Sequence, residues 1–234
     1  TEVRKLESMR RDFVANVSHE LRTPVAAVIS AAETLRDGAV RDEEAAPRFV
    51  DIVMRNAERL QRLIEDLLEL SRIESREVKL KPETVDVEPL ARGVFAMVQD
   101  RAARKRVALE VDAGEGAKAL TGDRRALEQI LINLVDNAVK YCSEGAKVSV
   151  RTRPSERGWV LSVSDTGPGI AESHLKRIFE RFYRVDTGRS RDLGGTGLGL
   201  AIVKHLSEAL GGSVEVESRL GQGSTFNVAI PRGA

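Results

Sequence analysis

The sequence predicts an α + α/β protein. An antiparallel helical hairpin, paired with a second copy into a dimeric four-helix bundle, is followed by an α/β sandwich. Three observations predict this. Residues 1–75 hold one glycine (Gly38), two prolines and no tryptophan or tyrosine, and are rich in the helix formers Ala, Arg, Glu and Leu. Apolar residues recur there at helical spacing in two long runs. The other 18 of the 19 glycines, with several alternating runs, fall in residues 80–234. The composition shifts near Leu80–Thr84, giving two expected domains, residues 1–78 and 79–234.

The first helix carries Leu6, Phe13, Val17, Leu21, Val28 and Leu35 within a stripe less than ~100° wide. The pattern stops at Asp37-Gly38, a helix-terminating pair. It resumes with Phe49, Ile52, Val53, Leu60, Leu63, Ile64, Leu67 and Leu68. Each helix spans around thirty residues, or ~45–50 Å. Such a thin hairpin has little core of its own, and a second copy supplies the missing layer. The alternative, that the second half covers the stripe, fits less well because the stripes outrun a compact domain's face.

In the second half, strands are expected at Val107–Asp112, Lys147–Arg153, Trp159–Asp165, Ser213–Glu217 and Thr225–Ile230. Helices are expected at Val87–Ala103, Arg124–Tyr141 and Leu198–Leu210. Residues 186–197, glycine-rich and charged without an apolar period, read as a mobile loop.

Composition excludes several functions. With 37 basic and 36 acidic residues the net charge is +1, against the clear basic excess of a nucleic-acid binder. One cysteine, Cys142, rules out an internal disulfide or a CxxC metal site. Histidines occur only at 19, 174 and 205, leaving little scope for a histidine-rich metal centre. No apolar run approaches the ~20 residues of a membrane span, and no signal peptide opens the chain. The expectation is a cytoplasmic fragment without membrane contact, from a parent protein anchored in the cell membrane upstream.

His19 lies two residues after Val17, about 200° round the helix, so it points away from the stripe. A solvated surface histidine is the plain alternative, but its neighbours favour chemistry. Glu20 can orient the imidazole or accept its proton, and Thr23, four residues on, shares its face. Pro24 withholds an N–H from the Glu20 carbonyl and crowds it, so a bend is expected, at a cost of ~3 kcal/mol. Imidazole is a good nucleophile when neutral.

On the helix Arg124–Tyr141, Leu127, Leu131, Leu134 and Ala138 form one face, while Asn133, Asn137, Lys140 and Tyr141 share another arc. Two amides can ligate a hard cation through oxygen, a lysine can meet phosphate, and a tyrosine can stack on a base. Asp165 ends an apolar strand before Gly167 and Gly169. Its carboxylate can accept from an exocyclic amine while the glycines let the backbone pass close to a planar base. Gly194-Gly195-Thr196-Gly197-Leu198-Gly199-Leu200 leads into a helix, an arrangement suited to an anion. It is neither a P-loop nor a dinucleotide fingerprint. Taken in order, these segments point to a divalent cation, a base and a phosphate.

These segments resemble the boxes of sensor histidine kinases of two-component systems. Phe13-Val-Ala-Asn-Val-Ser-His19-Glu20-Leu-Arg-Thr23-Pro24 is similar to their phosphoacceptor box. Asn133-Leu-Val-Asp-Asn137-Ala-Val-Lys140-Tyr141 resembles the N box and Asp165-Thr-Gly167-Pro-Gly169-Ile the first glycine box. Ile178-Phe179-Glu-Arg-Phe182-Tyr-Arg184 resembles the F box and Gly195-Thr-Gly197-Leu-Gly199-Leu the second glycine box. All five occur in the family order. The opening Thr1–Leu6 resembles the exit from a PAS sensor domain. With the Val78–Val87 linker, it leans toward phosphate-regulon-type sensors.

The resemblance implies a phosphoacceptor domain joined to a Bergerat-type ATP-binding sandwich, with ATP and Mg²⁺ as cofactors and a response regulator as partner. It implies that His19 takes the γ-phosphoryl group, Glu20 is its base or orienting group, and Thr23 orients water when phosphate is removed from the regulator. Asn137, assisted by Asn133, coordinates Mg²⁺. Lys140 and Arg184 meet phosphate. Tyr141 stacks near adenine and Asp165 accepts from its amino group beside Gly167 and Gly169. Gly195, Thr196, Gly197, Leu198 and Gly199 shape a lid, and Thr225 supports the adenine site. Related chaperone, gyrase and mismatch-repair ATPases place a water-activating Glu four residues before the metal-binding Asn. Here that residue is Asn133, a poor base, which argues against a hydrolytic ATPase of the same fold. A non-catalytic nucleotide-binding scaffold and a phosphatase-dominant protein are the remaining alternatives.

Overall fold

The structure, a computed structural model, describes residues 2–75, 80–113, 119–186 and 194–232, with side chains from residue 11 onward except Ala113. The expected 78/79 boundary, the Leu6 side chain and residues 187–193 of the expected loop lie outside what is described. The chain forms two compact units, residues 1–68 with 186–198, and residues 69–185 with 199–234.

The first unit is built on α1 (Glu2–Arg36), a 3₁₀ turn (Ala39–Arg41) and α2 (Ala45–Glu74), whose last residues belong to the second unit. Gly38 at φ 134° follows the end of α1 in a conformation that a side chain would resist. The Asp42 carboxylate accepts from the Glu44 and Ala45 amides at 2.9 and 3.0 Å, capping α2. The α1 helix runs through Pro24 without interruption, and Pro24 is buried.

Phe13, Val17, Leu21, Val28 and Leu35 of the expected stripe are half-buried. Apolar surface extends beyond it. Val14, Val25 and Ile29 lie about 60°, 80° and 120° from Val17 at 100° per residue and are exposed. On α2, Leu63 is buried, whereas Val50, Met54, Ile64 and Leu68 form a second, exposed stripe.

The second unit contains β1 (Pro82–Asp86), α3 (Val87–Arg104), β2 (Ala108–Ala113), β3 (Ala119–Asp123), α4 (Arg124–Tyr141), β4 (Lys147–Ser155), β5 (Gly158–Asp165), α5 (Glu172–Leu175), α6 (Gly199–Ala209), β6 (Ser213–Arg219) and β7 (Gly223–Pro231). The main sheet has the order β2-β4-β5-β7-β6, parallel between β2 and β4 and antiparallel elsewhere. Helix α4 packs against both α3 and α6, and all three helices contact this sheet. Leu127, Ile130, Leu131, Leu134 and Val135 of α4 meet Ile202 and Val203 of α6 and Val148, Val150 and Val228 of the sheet in a fully buried core. The five expected strands and three expected long helices are all present.

Two strands were not anticipated. β1 and β3 pair antiparallel as a separate two-stranded sheet, Pro82 opposite Asp123 and Asp86 opposite Ala119. Each ends in the aspartate that caps the following helix, Asp86 accepting from Glu88 N and Asp123 from Ala126 N. The other Asp123 oxygen accepts from the Lys81 amide at 2.8 Å.

Candidate functional site

In the first unit, His19 is exposed on α1, on the side its sequence position indicated. The Thr23 hydroxyl is also exposed and donates to the His19 carbonyl oxygen at 3.3 Å. Glu20 differs from its neighbour. It lies seven residues after Phe13, and so on the inner face of α1. Its Oε2 accepts from Arg59 Nη2 of α2 at 2.9 Å, with the two side chains 12% and 11% exposed. Sequence reading missed Arg59. A signal was present: Arg59 falls seven residues after Ile52 and four before Leu63, within the inner apolar stripe, where a cation requires a counter-charge.

Residues 195–198 of the second glycine box group with this unit rather than with the asparagines. Thr196 Oγ1 donates to Asp66 Oδ2 at 2.5 Å and accepts from Leu198 N at 3.3 Å, with Leu198 fully buried.

The second unit gathers most of the expected nucleotide residues. Asp123 fixes the first turn of α4, and the helix then presents half-buried Asn133 and Asn137 one turn apart. Asn133 Nδ2 donates to Gln129 O at 2.9 Å, which turns its amide oxygen toward Gly199 at the start of α6. Lys140 is only 6% exposed, and its Nζ lies 5.4 Å from the Tyr141 ring centroid, a cation–π arrangement. Its burial departs from the solvated polar face that α4 alone suggests.

At the end of β5, Asp165 Oδ1 accepts from Gly167 N at 2.8 Å. Desolvation raises its pKa above the ordinary value of 3.8, opposed by the Gly167, Ser224 and Cys142 hydrogen bonds. Cys142, just past α4, places Sγ 3.9 Å from Asp165 Oδ1. Burial first, then the Asp165 charge, pushes that thiol up to about 11. A β-carbon on Gly167 would sit 2.7 Å from Asp165 Oδ1 and 3.1 Å from Cys142 Sγ. Gly169, at φ 70°, passes so close to Arg219 that a β-carbon would fall 2.0 Å from its carbonyl oxygen. The Thr225 and Ser164 hydroxyls are 2.9 Å apart across β7 and β5.

In the F-box segment Ile178 is buried, and Phe179 meets Phe226 edge-on at 6.3 Å between centroids. Tyr183 Oη and His174 Nδ1 are 2.6 Å apart, and Arg184 is half-buried beside them in sequence.

This chemistry suits a purine and a hard cation. A desolvated carboxylate fed by backbone N–H groups presents acceptor oxygen to an exocyclic amine. Asn133 and Asn137 offer two neutral oxygen ligands. Among the described residues no group of three or more His, Cys, Asp or Glu could hold a metal alone. The donor set therefore fits Mg²⁺ carried in with phosphate, because that ion keeps water and phosphate oxygens and takes few protein ligands.

The fold joins a helical hairpin to an α/β sandwich, and comparison with known families agrees with that division. The His Kinase A (phospho-acceptor) domain matches residues 9–76. The histidine kinase-, DNA gyrase B-, and HSP90-like ATPase family matches residues 122–234. The chain belongs to the histidine kinase family. It is 41% identical over 227 residues to the sensor-like histidine kinase SenX3 of Mycolicibacterium smegmatis, covering 97% of this chain and 59% of that protein, so it spans about three fifths of that relative. Among solved structures, ShkA in complex with AMPPNP aligns over 95% of this chain and 46% of its own, with TM-score 0.67 and 33% identity. ThkA in complex with the response regulator TrrA aligns over 98% of this chain and 64% of its own, with TM-score 0.77 and 23% identity, a likeness of fold. No described helix is long and apolar enough to cross a membrane.

Proposed function

We propose that this chain transfers the γ-phosphoryl group of ATP to His19 and then passes it to an aspartate of a response regulator. The observation that carries this reading is Asn133. Where hydrolytic members of the fold use a carboxylate to activate water, this chain has an amide whose nitrogen is engaged by Gln129 O. An amide cannot take a proton at neutral pH, so bound ATP persists until the imidazole reaches it.

The chain's residues divide the work. Asp165 and the Gly167–Gly169 backbone select and seat adenine, with the Thr225 and Ser164 hydroxyls paired beside them across β7 and β5. Lys140 and Arg184 meet phosphate oxygens. The amide oxygens of Asn137 and Asn133 would hold Mg²⁺, which would supply charge neutralisation at the phosphates. Gly195, Thr196, Gly197 and Leu198 form the lid. The unprotonated ring nitrogen of His19 attacks the γ-phosphorus, and the bond from that phosphorus to the bridging oxygen breaks, releasing ADP. The proton left on the other ring nitrogen passes to Glu20. In the reverse-acting phosphatase role, the exposed Thr23 hydroxyl, one turn beyond His19, orients water on a phosphorylated regulator. The exposed stripes Val14/Val25/Ile29 and Val50/Met54/Ile64/Leu68 form the seam of a homodimeric four-helix bundle.

Incubation with γ-³²P-ATP is the test. The label is expected to be lost in acid, stable in base, and absent from His19→Gln, which still binds nucleotide. Labelling of His19→Gln at the wild-type level refutes the acceptor assignment.

A further inference from the structure

The ion pair behind the phosphoacceptor histidine assigns a role to a residue on the other arm of the hairpin. We infer that Arg59 is a positioning residue for phosphoryl transfer, holding the Glu20 carboxylate where it receives the His19 proton. This rests on the proposed reaction at His19 and adds a residue to it.

Three observations carry the inference. First, the contact spans 39 residues of sequence and joins the two helices at the α1 position that follows His19. Second, both side chains are nearly withdrawn from water, 12% for Glu20 and 11% for Arg59. A surface pair exchanges its partners freely, whereas a desolvated pair holds its geometry, because either charge left alone there is costly. Third, the contact depends on helix register. One residue of slip of α2 along α1 displaces the guanidinium by ~1.5 Å, enough to break a bond of 2.9 Å.

The guanidinium therefore confines the carboxylate of the residue that follows His19 to one place, removing a rotamer search from the reaction step. Arg59 touches neither nucleotide nor phosphoryl group in this scheme and acts through Glu20. A purely structural ion pair would affect the melting temperature and leave the chemistry intact.

The experiment is a double-mutant cycle on the full chain, measuring the autophosphorylation rate at saturating Mg-ATP (kcat) and the KM for ATP. In Arg59→Gln, kcat is expected to fall about tenfold or more while KM stays within about twofold. In a Glu20→Gln background the same change is expected to cost less than about threefold, because the group it positions is gone. Arg59→Lys, which keeps the charge, is expected to stay within about threefold of wild type. A smaller fall in kcat, a fall expressed in KM, or an equal fall in the Glu20→Gln background overturns the inference. If Arg59→Gln loses its cooperative melt, Arg59→Lys decides alone, and a loss beyond about threefold overturns it. Label on His19→Gln would instead overturn the proposed reaction, so the two failures are distinct.

Discussion

The amide oxygen of Asn133 stands 2.7 Å from the point a β-carbon on Gly199 would occupy. The start of α6 therefore approaches the α4 amide as closely as it does only because residue 199 has no side chain. Gly199→Ala must move that amide, although alanine is the better helix former by about 1 kcal/mol. The expected outcome is an unchanged or slightly raised melting temperature with Mg-ATP affinity weakened about tenfold, read by calorimetric titration. Wild-type affinity would show that Asn133 plays no part in binding.

Asp165 supports a prediction with opposite signs for stability and binding. Its carboxyl pKa is raised chiefly by desolvation. The ionised form therefore costs the fold stability above that raised value, and the cost disappears as pH falls through it. Asp165→Asn removes the charge and is expected to leave the apo protein at least as stable at neutral pH while weakening ATP binding tenfold or more. In the wild type, ATP affinity is expected to decline on acidification at a pH above the ordinary carboxylate range, as the acceptor is protonated. Denaturant melts and titrations across pH check both, and an affinity that stays flat down to the ordinary aspartate range contradicts the assignment.

Cys142 gives a chemical readout of the same corner. Its thiol is pushed up to about 11 and is buried. Because the thiolate is the reactive form, iodoacetamide is expected to label the folded protein far more slowly at neutral pH than the urea-unfolded chain. Equal rates in the two states would place this thiol in solvent.

The exposed hairpin stripes predict the oligomeric state. Ile29 and Met54 are 52% and 53% exposed in the single chain. If a second copy covers them, Ile29→Lys with Met54→Lys removes about 1.5–3 kcal/mol of apolar burial per side chain and introduces charge. Sedimentation is expected to change from dimer to monomer, and a double variant that stays dimeric excludes these residues from the seam.

The long elements were legible in the sequence, since α4 begins and ends at the residues its periodicity indicated. What escaped was short or non-local. β1 and β3 are five residues each, carry a proline and a glycine, and pair only with each other, so neither shows an apolar alternation strong enough to announce it. The aspartates closing them were the available clue. The places of Asn133 and Asn137 on one face of α4 and of Asp165 at the end of β5 were legible from residue type and spacing. The Arg59 partner of Glu20 was not, because hairpin pairing creates that contact. Lys140 was misleading for a similar reason: seven residues from Asn133 it shares that helical face, but the surrounding fold closes over it.

The two oxygens of Asp123 carry a further implication. One holds the backbone just ahead of β1 and the other holds the opening turn of the helix that bears both amides. A pull or twist on the polypeptide at Lys81 is therefore delivered to the base of that helix through this carboxylate as well as through the β1–β3 pairing. Traction applied upstream need not deform the sheet to be felt at the asparagines.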